Sequence, residues 1–296
     1  MDIATLCAGL AKQQRQRIFT IKTQSRMDRS VESYVRTNYT GWRHDMPEDE
    51  REAENAKALE LVKAARNGEA PDKVLARMVA LSDEARAPAD AVRRATETAM
   101  EKLARQLPVW EWAEPVMGFG AKGLGIIVAE TTTASAPLSL GSYTKGLDGI
   151  YSRLGFASYG LPDDGVQLAG STWKRTRWRP RALTADEWVE HPFAASRYAE
   201  MFTLAESLFK QQSDSRRATG PYRLVYDARR ARTAETHPDW SKLHSHRDAM
   251  RVMFKSLIAD TYAAWMRLTP IAADGARPSP PERATCHAPR SAATSL

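Results

Sequence analysis

The residues from Val116 to Glu130 read Val-Met-Gly-Phe-Gly-Ala-Lys-Gly-Leu-Gly-Ile-Ile-Val-Ala-Glu, an order suited to holding an anion. Gly118 and Gly120 bracket Phe119. Glycine permits positive φ and leaves neighbouring backbone N–H groups uncovered. At a helix start, such a nest accepts a phosphate oxygen without reading base sequence. Lys122 would add a charge there, and Phe119 and Ile126 would anchor the turn. Gly123 completes a Gly-x-Gly-x-x-Gly spacing, but the dinucleotide pattern needs a preceding strand. Trp110-Glu111-Trp112-Ala113-Glu114-Pro115 is a poor strand. Two readings stay open: a helix-hairpin-helix that grips phosphate, and an interhelical turn that uses glycine for close packing.

A second segment, Trp173-Lys174-Arg175-Thr176-Arg177-Trp178-Arg179-Pro180-Arg181, interleaves basic residues with tryptophan. Lys174, Arg175, Arg177, Arg179 and Arg181 can neutralise phosphates. Trp173 and Trp178 can stack on an unpaired base or hold arginine. The alternative is a solvated loop whose tryptophans pack inward. A third set, His244, Arg247, Arg251 and Lys255, recurs at helical spacing and would form a basic ridge or an ordinary charged face. His244 and His246 fall on opposite sides of a helix, so no metal site is expected. Ser171, after Gly170, is a candidate nucleophile with no identifiable base.

Helices must position these groups. Residues 1–105 carry apolar residues at helical period and no alternating run, so this region reads as helical. Ile3 to Ile21 predicts one helix and Met27 to Val35 a second. Pro47 and its acids open another, which Gly68 closes. Pro71-Asp72 and Pro88 each start a further helix, the last with Val92, Ala95, Ala99 and Leu103 inward. A helix entered near Pro108 runs toward Met117 and the hairpin. After 192, Met201, Ala205 and Leu208 line one helical face. Met250, Phe254, Leu257, Ile258 and Trp265 line a long helix over 240–268, spanning about 40 Å. Residues 271–296 read as a proline-bearing disordered tail. The expected fold is all-α: a helical amino-terminal region over 1–105, a helix-hairpin-helix domain with closing helices over 106–270, and the tail.

The 296 residues carry 43 Lys plus Arg against 36 Asp plus Glu, a net charge of +7. The excess lies mainly in 171–270, whereas 106–170 is net acidic, as a localised polyanion-binding surface requires. Cys7 and Cys286 are the only cysteines, so neither a disulfide framework nor a cysteine zinc site is expected. No apolar run reaches the roughly 18–20 residues of a membrane span, and no signal peptide is read at the amino terminus. A cytoplasmic protein with no membrane partner is the expectation.

Gly118-Phe119-Gly120 through Ala129-Glu130-Thr131, then Leu154-Gly155-Phe156, then Ala205-Glu206-Ser207-Leu208, resembles the carboxy-terminal domain of insertion-sequence transposases of the IS-one-ten/one-sixteen type. There a Gly-x-Gly hairpin leads into an apolar helix ending in Ala-Glu, followed by a Leu-Gly-Leu-like segment and an alanine-rich helix. The resemblance covers about residues 108–212, without a recognisable amino-terminal nuclease domain. It implies DNA binding and a part in transposition or recombination, with Ser171 as the candidate catalytic serine. DNA is the expected partner, and a guide RNA and self-association fit the same reading. The reading from another class is a non-enzymatic helical scaffold that oligomerises and meets an acidic protein partner.

Overall fold

A computed structural model describes residues 1–132, 146–156, 195–212 and 219–269. These residues form nine helices and no strand, so the fold is mostly α. The described residues divide into two compact units, one of residues 1–107 with 124–129 and one of residues 108–123 with the described residues from 130 on.

In the first unit, α1 (Ile3–Tyr39), α2 (Glu48–Arg66) and α3 (Lys73–Ala104) pack side by side, with α1 against α3 as the main interface. Each start has a local cause. Asp2 caps α1 by accepting the Thr5 amide at 2.8 Å, and Asp72 caps α3 by accepting the Leu75 amide at 2.8 Å. In α2, Glu48, Asp49 and Glu50 face the positive dipole end, with Lys63 and Arg66 in the last turn. Gly68, at φ 88°, turns the chain out of α2. Val31, Val35, Ala58, Val62, Ala65, Leu75 and Val79 close one end of the core. Near the other end Gly125 lets its backbone approach α1 and α3: a Cβ there would lie 3.3 Å from a Leu10 methyl and 3.6 Å from the Met100 carbonyl.

Three sequence expectations for this unit are corrected. The break expected after Ile21 does not occur, and α1 is one helix of 37 residues. Its polar gap is part of the α1–α3 seam: Gln14, Thr20 and Gln24 are buried, and Gln24 donates to Asp90. Pro88 does not begin a helix but lies inside α3. Proline at such a place forfeits a hydrogen bond, at about 3 kcal/mol. The helix continues because contacts to α1 hold both sides of it: Arg86 pairs with Asp28 at 2.8 Å, and Asp90 receives Gln24. The buried face also differs. Thr96, Met100 and Ala104 are inward, while Val92 and Ala95 are exposed.

In the second unit, a single helical turn α4 (Trp110–Ala113) precedes α5 (Gly120–Thr131), whose residues 124–129 belong to the first unit. Then come α6 (Gly146–Leu154), α7 (Ala195–Gln211), α8 (Pro221–Thr236) and α9 (Lys242–Leu268). The helix expected from Pro108 toward Met117 is thus four residues long, since Pro115 cannot extend it and Gly118 takes positive φ. Ser241 caps α9. Met250, Met253, Phe254, Leu257, Ile258 and Trp265 are buried on it, and α8, α7 and α6 pack against it.

Candidate nucleic-acid interface

The hairpin is built from α4, the turn at 114–119 and the start of α5. Both glycines adopt the left-handed region, Gly118 at φ 83° and Gly120 at φ 61°. Their surroundings differ. A Cβ on Gly118 would lie 3.0 Å from Leu208 Cα and 3.2 Å from the Leu208 carbonyl oxygen, so this glycine lets the turn lie against α7. A Cβ on Gly120 would meet nothing within 4 Å, and Gly120 is exposed at the first position of α5. Gly123 is buried under the Phe119 ring, 3.0 Å from where its Cβ would be. Phe119 is itself buried and meets Trp112 edge-on with centroids 6.4 Å apart. Its amide donates to the Val116 carbonyl at 3.2 Å, so one of the hairpin amides is satisfied internally. Lys122, half-buried, lies in the first turn of α5.

Two groups given no role by the sequence hold the hairpin segment, Gln212 at the turn and Glu130 at the far end of α5. Gln212, buried at the end of α7, donates its Nε2 to the Met117 carbonyl at 2.9 Å, and its own carbonyl accepts the Gly220 amide at 3.1 Å. Glu130, near the end of α5, pairs with Arg197 of α7 at 2.9 Å, while Arg153 of α6 donates to the Glu130 carbonyl at 3.0 Å. Neither partner set is encoded at short range. The contacts cross 95 and 67 residues of chain.

The row expected on α9 is not a uniform cationic ridge. Arg247 is exposed. Arg251 pairs with Asp248 at 3.0 Å, and Asp248 also takes Arg229 at 2.5 Å. Burial works to raise the Asp248 carboxyl, but the bonds from Arg229 and Arg251 outweigh it and hold the group below the ordinary carboxylate range. Lys255 turns back over the Tyr151 ring, 4.2 Å from its centroid. Burial, with Arg251 nearby, lowers its ammonium from the ordinary value. Tyr151 is pushed up to about 12 by burial and by Asp148.

His237, His244 and His246 are engaged with aromatic rings. His237, Trp240 and His244 form a parallel stack with centroid separations of 4.2 and 3.9 Å. His246 Nδ1 lies 2.7 Å from the Tyr226 hydroxyl. Among the described residues no cluster of three metal-ligating side chains occurs, and no helix is long and apolar enough to cross a membrane. Ser171 and the segment from Trp173 through Lys174, Arg175, Arg177, Trp178 and Arg179 to Arg181 lie outside the described residues, as does the tail from 271. Comparison with known proteins finds no matching family, no curated relative and no similar solved structure.

Proposed function

We propose that this chain is a DNA-binding protein of a mobile element, gripping the duplex backbone at the Gly118–Gly123 hairpin and taking part in transposition or recombination. The observation that supports this most is the open space at Gly120: a positive-φ glycine, exposed, opening a helix of 12 residues with Lys122 in its first turn. A phosphate oxygen approaching there meets the positive end of the helix dipole and no obstructing side chain. Gly118 and Gly123 act differently, by packing the turn against α7 and under Phe119. The resemblance to transposases of the IS-one-ten/one-sixteen type supplies the biological setting, and the basic segment 173–181 is assigned a share of the phosphate contacts on its composition.

The test is duplex-DNA binding by fluorescence anisotropy across a salt series. Five to eight phosphate contacts give a log–log slope of about −4.5 to −7. Gly120→Asn places a side chain in the open space while tolerating the left-handed backbone. It should weaken binding at least about tenfold, or 1.4 kcal/mol, with little change in thermal midpoint. Unchanged affinity for that variant, or affinity independent of salt, would refute the hairpin as a phosphate grip.

A further inference from the structure

We infer that the solvent face of α1 is a second docking surface, for the phosphate backbone of duplex DNA. Lys12, Arg15, Lys22, Arg26 and Arg29 are all exposed on this one helix. At 3.6 residues per turn they fall within an arc of about 100° and extend along about 26 Å of the axis. None of the five makes an ion pair among the described residues. The cations of α1 that turn sideways are engaged instead. Arg17 pairs with Glu97 at 2.8 Å, and Arg36 lies over Trp42 at 4.5 Å.

Acids are few on α1. Within Ile3–Tyr39 only Asp28 and Glu32 are acidic, and both are half-buried. Asp28 is held by Arg66 and Arg86 at 2.9 and 2.8 Å, away from the row. Positions beside the row hold neutral hydrogen-bonding groups, among them Gln16, Ser30 and Ser33. Arg26, Arg29 and Ser33 continue into a shallow groove toward Asn38. Like charges at helical spacing repel, at some tenths of a kcal/mol per pair. The helix tolerates them because its opposite face is packed on α3.

Charge complementarity selects the occupant. A straight row on a braced helix presents its charges at fixed intervals, and a duplex holds its phosphates at fixed intervals too, one per roughly 1.7 Å of axis over both strands. Insertion into a lipid surface would require a broad apolar face. This face has one large apolar side chain, Phe19, 67% exposed at the middle of the row. The surface lies wholly in the first unit and shares no residue with the hairpin, so it stands or falls independently of that assignment.

The experiment uses the full chain and a 30-base-pair duplex in a salt titration. Neutralising all five (Lys12→Gln, Arg15→Gln, Lys22→Gln, Arg26→Gln, Arg29→Gln) should reduce the log–log salt slope by about 4.5, at about 0.9 per lost phosphate contact. The pair Arg26→Gln, Arg29→Gln should reduce it by about 2, and these exposed changes should leave the circular dichroism spectrum unchanged and the midpoint no lower, since like-charge repulsion is relieved. The control pair Lys73→Gln, Arg94→Gln, also exposed in the first unit, should leave the slope unaltered. An unchanged slope in the first two variants would overturn the inference, as would an equal fall in the control. No binding to duplex by the parent chain, or equally tight binding to poly-glutamate or to anionic vesicles, would overturn it as well.

Discussion

Gly118 lies directly against Leu208, with a Cβ on the glycine 3.0 Å from the Leu208 Cα. The neighbour is helix backbone, which cannot rotate aside. Gly118 also sits at φ 83°, where a side chain is strained. Gly118→Ala should therefore destabilise the protein by about 2–3 kcal/mol, combining strain with overpacking. Gly120→Ala keeps the left-handed strain but meets open space, and should cost about 1 kcal/mol. Urea denaturation of both variants separates them. Equal losses would mean that Leu208 does not constrain the turn.

The same pair shows what the sequence could and could not tell. Two glycines flanking Phe119 announce a turn with positive φ, and both have it. Nothing local distinguishes the one that packs from the one that stays open, because Leu208 is ninety residues away. The mostly helical class was legible from apolar periodicity. The continuity of α3 through Pro88 was not, since a proline penalty is local and the contacts from Asp28 and Gln24 that hold the helix are distant. The α9 row illustrates a further limit. Spacing gave a shared face for Arg247, Arg251 and Lys255, but not the engagement of Arg251 by Asp248 or of Lys255 by Tyr151. Conversely, the spacing of three, seven, four and three from Lys12 to Arg29 was present in the sequence. It became informative once the structure had shown which side of α1 is covered.

Gln212 joins the hairpin to the approach of α8, and its side-chain bond to Met117 should depend on Gly220. A Cβ on Gly220 would fall on the Gln212 side-chain amide, 1.7 Å from Oε1. Gly220→Ala would displace that amide and break its bond to the Met117 carbonyl. Gln212→Ala breaks the same bond directly. Each should cost about 1–3 kcal/mol, the penalty of an unpaired buried polar group. Because both act through one contact, the double variant should cost clearly less than the two losses combined. Full additivity in a denaturation cycle would show that Gly220 acts on something other than Gln212.

His246 should make stability depend on pH near neutrality. Burial, followed by the positive charge of Arg230, lowers its pKa from the ordinary value, although Glu206 opposes the shift. The ring is hydrogen-bonded through Nδ1 to the Tyr226 hydroxyl. An imidazole with a lowered folded pKa is protonated more readily in the unfolded chain. Its neutral state thus supports folding above about pH 6.5, the unfolded value, and that support is lost as pH falls through the folded value. His246→Gln should flatten the stability-against-pH curve in this window, and proton NMR should place the His246 titration below pH 6.5. A ring that titrates at or above the free value, or a curve identical in the variant, would contradict the assignment.

Asp248 ties down two arginines on the α8–α9 face, so its removal should separate stability from DNA affinity. Its side chain is 9% exposed and accepts from Arg229 and Arg251. Asp248→Asn leaves the amide in place but removes the charge. It should cost about 2 kcal/mol at pH 7, below the 3–5 of a fully buried pair because both arginines are partly solvated. The carboxyl's pKa is lowered on folding, so its stabilising effect is present above the unfolded value near pH 3.9 and lost as pH falls through the folded one. The gap between parent and variant should therefore close in strong acid. At pH 7 the same change raises the net charge by one and frees Arg251 beside the exposed Arg247. If α9 faces DNA, the variant should bind duplex more tightly at low salt, with a slope steeper by about 1. Lower stability with unchanged affinity and slope would remove Arg247, Arg251 and Lys255 from the interface and leave the hairpin and the α1 row to carry it.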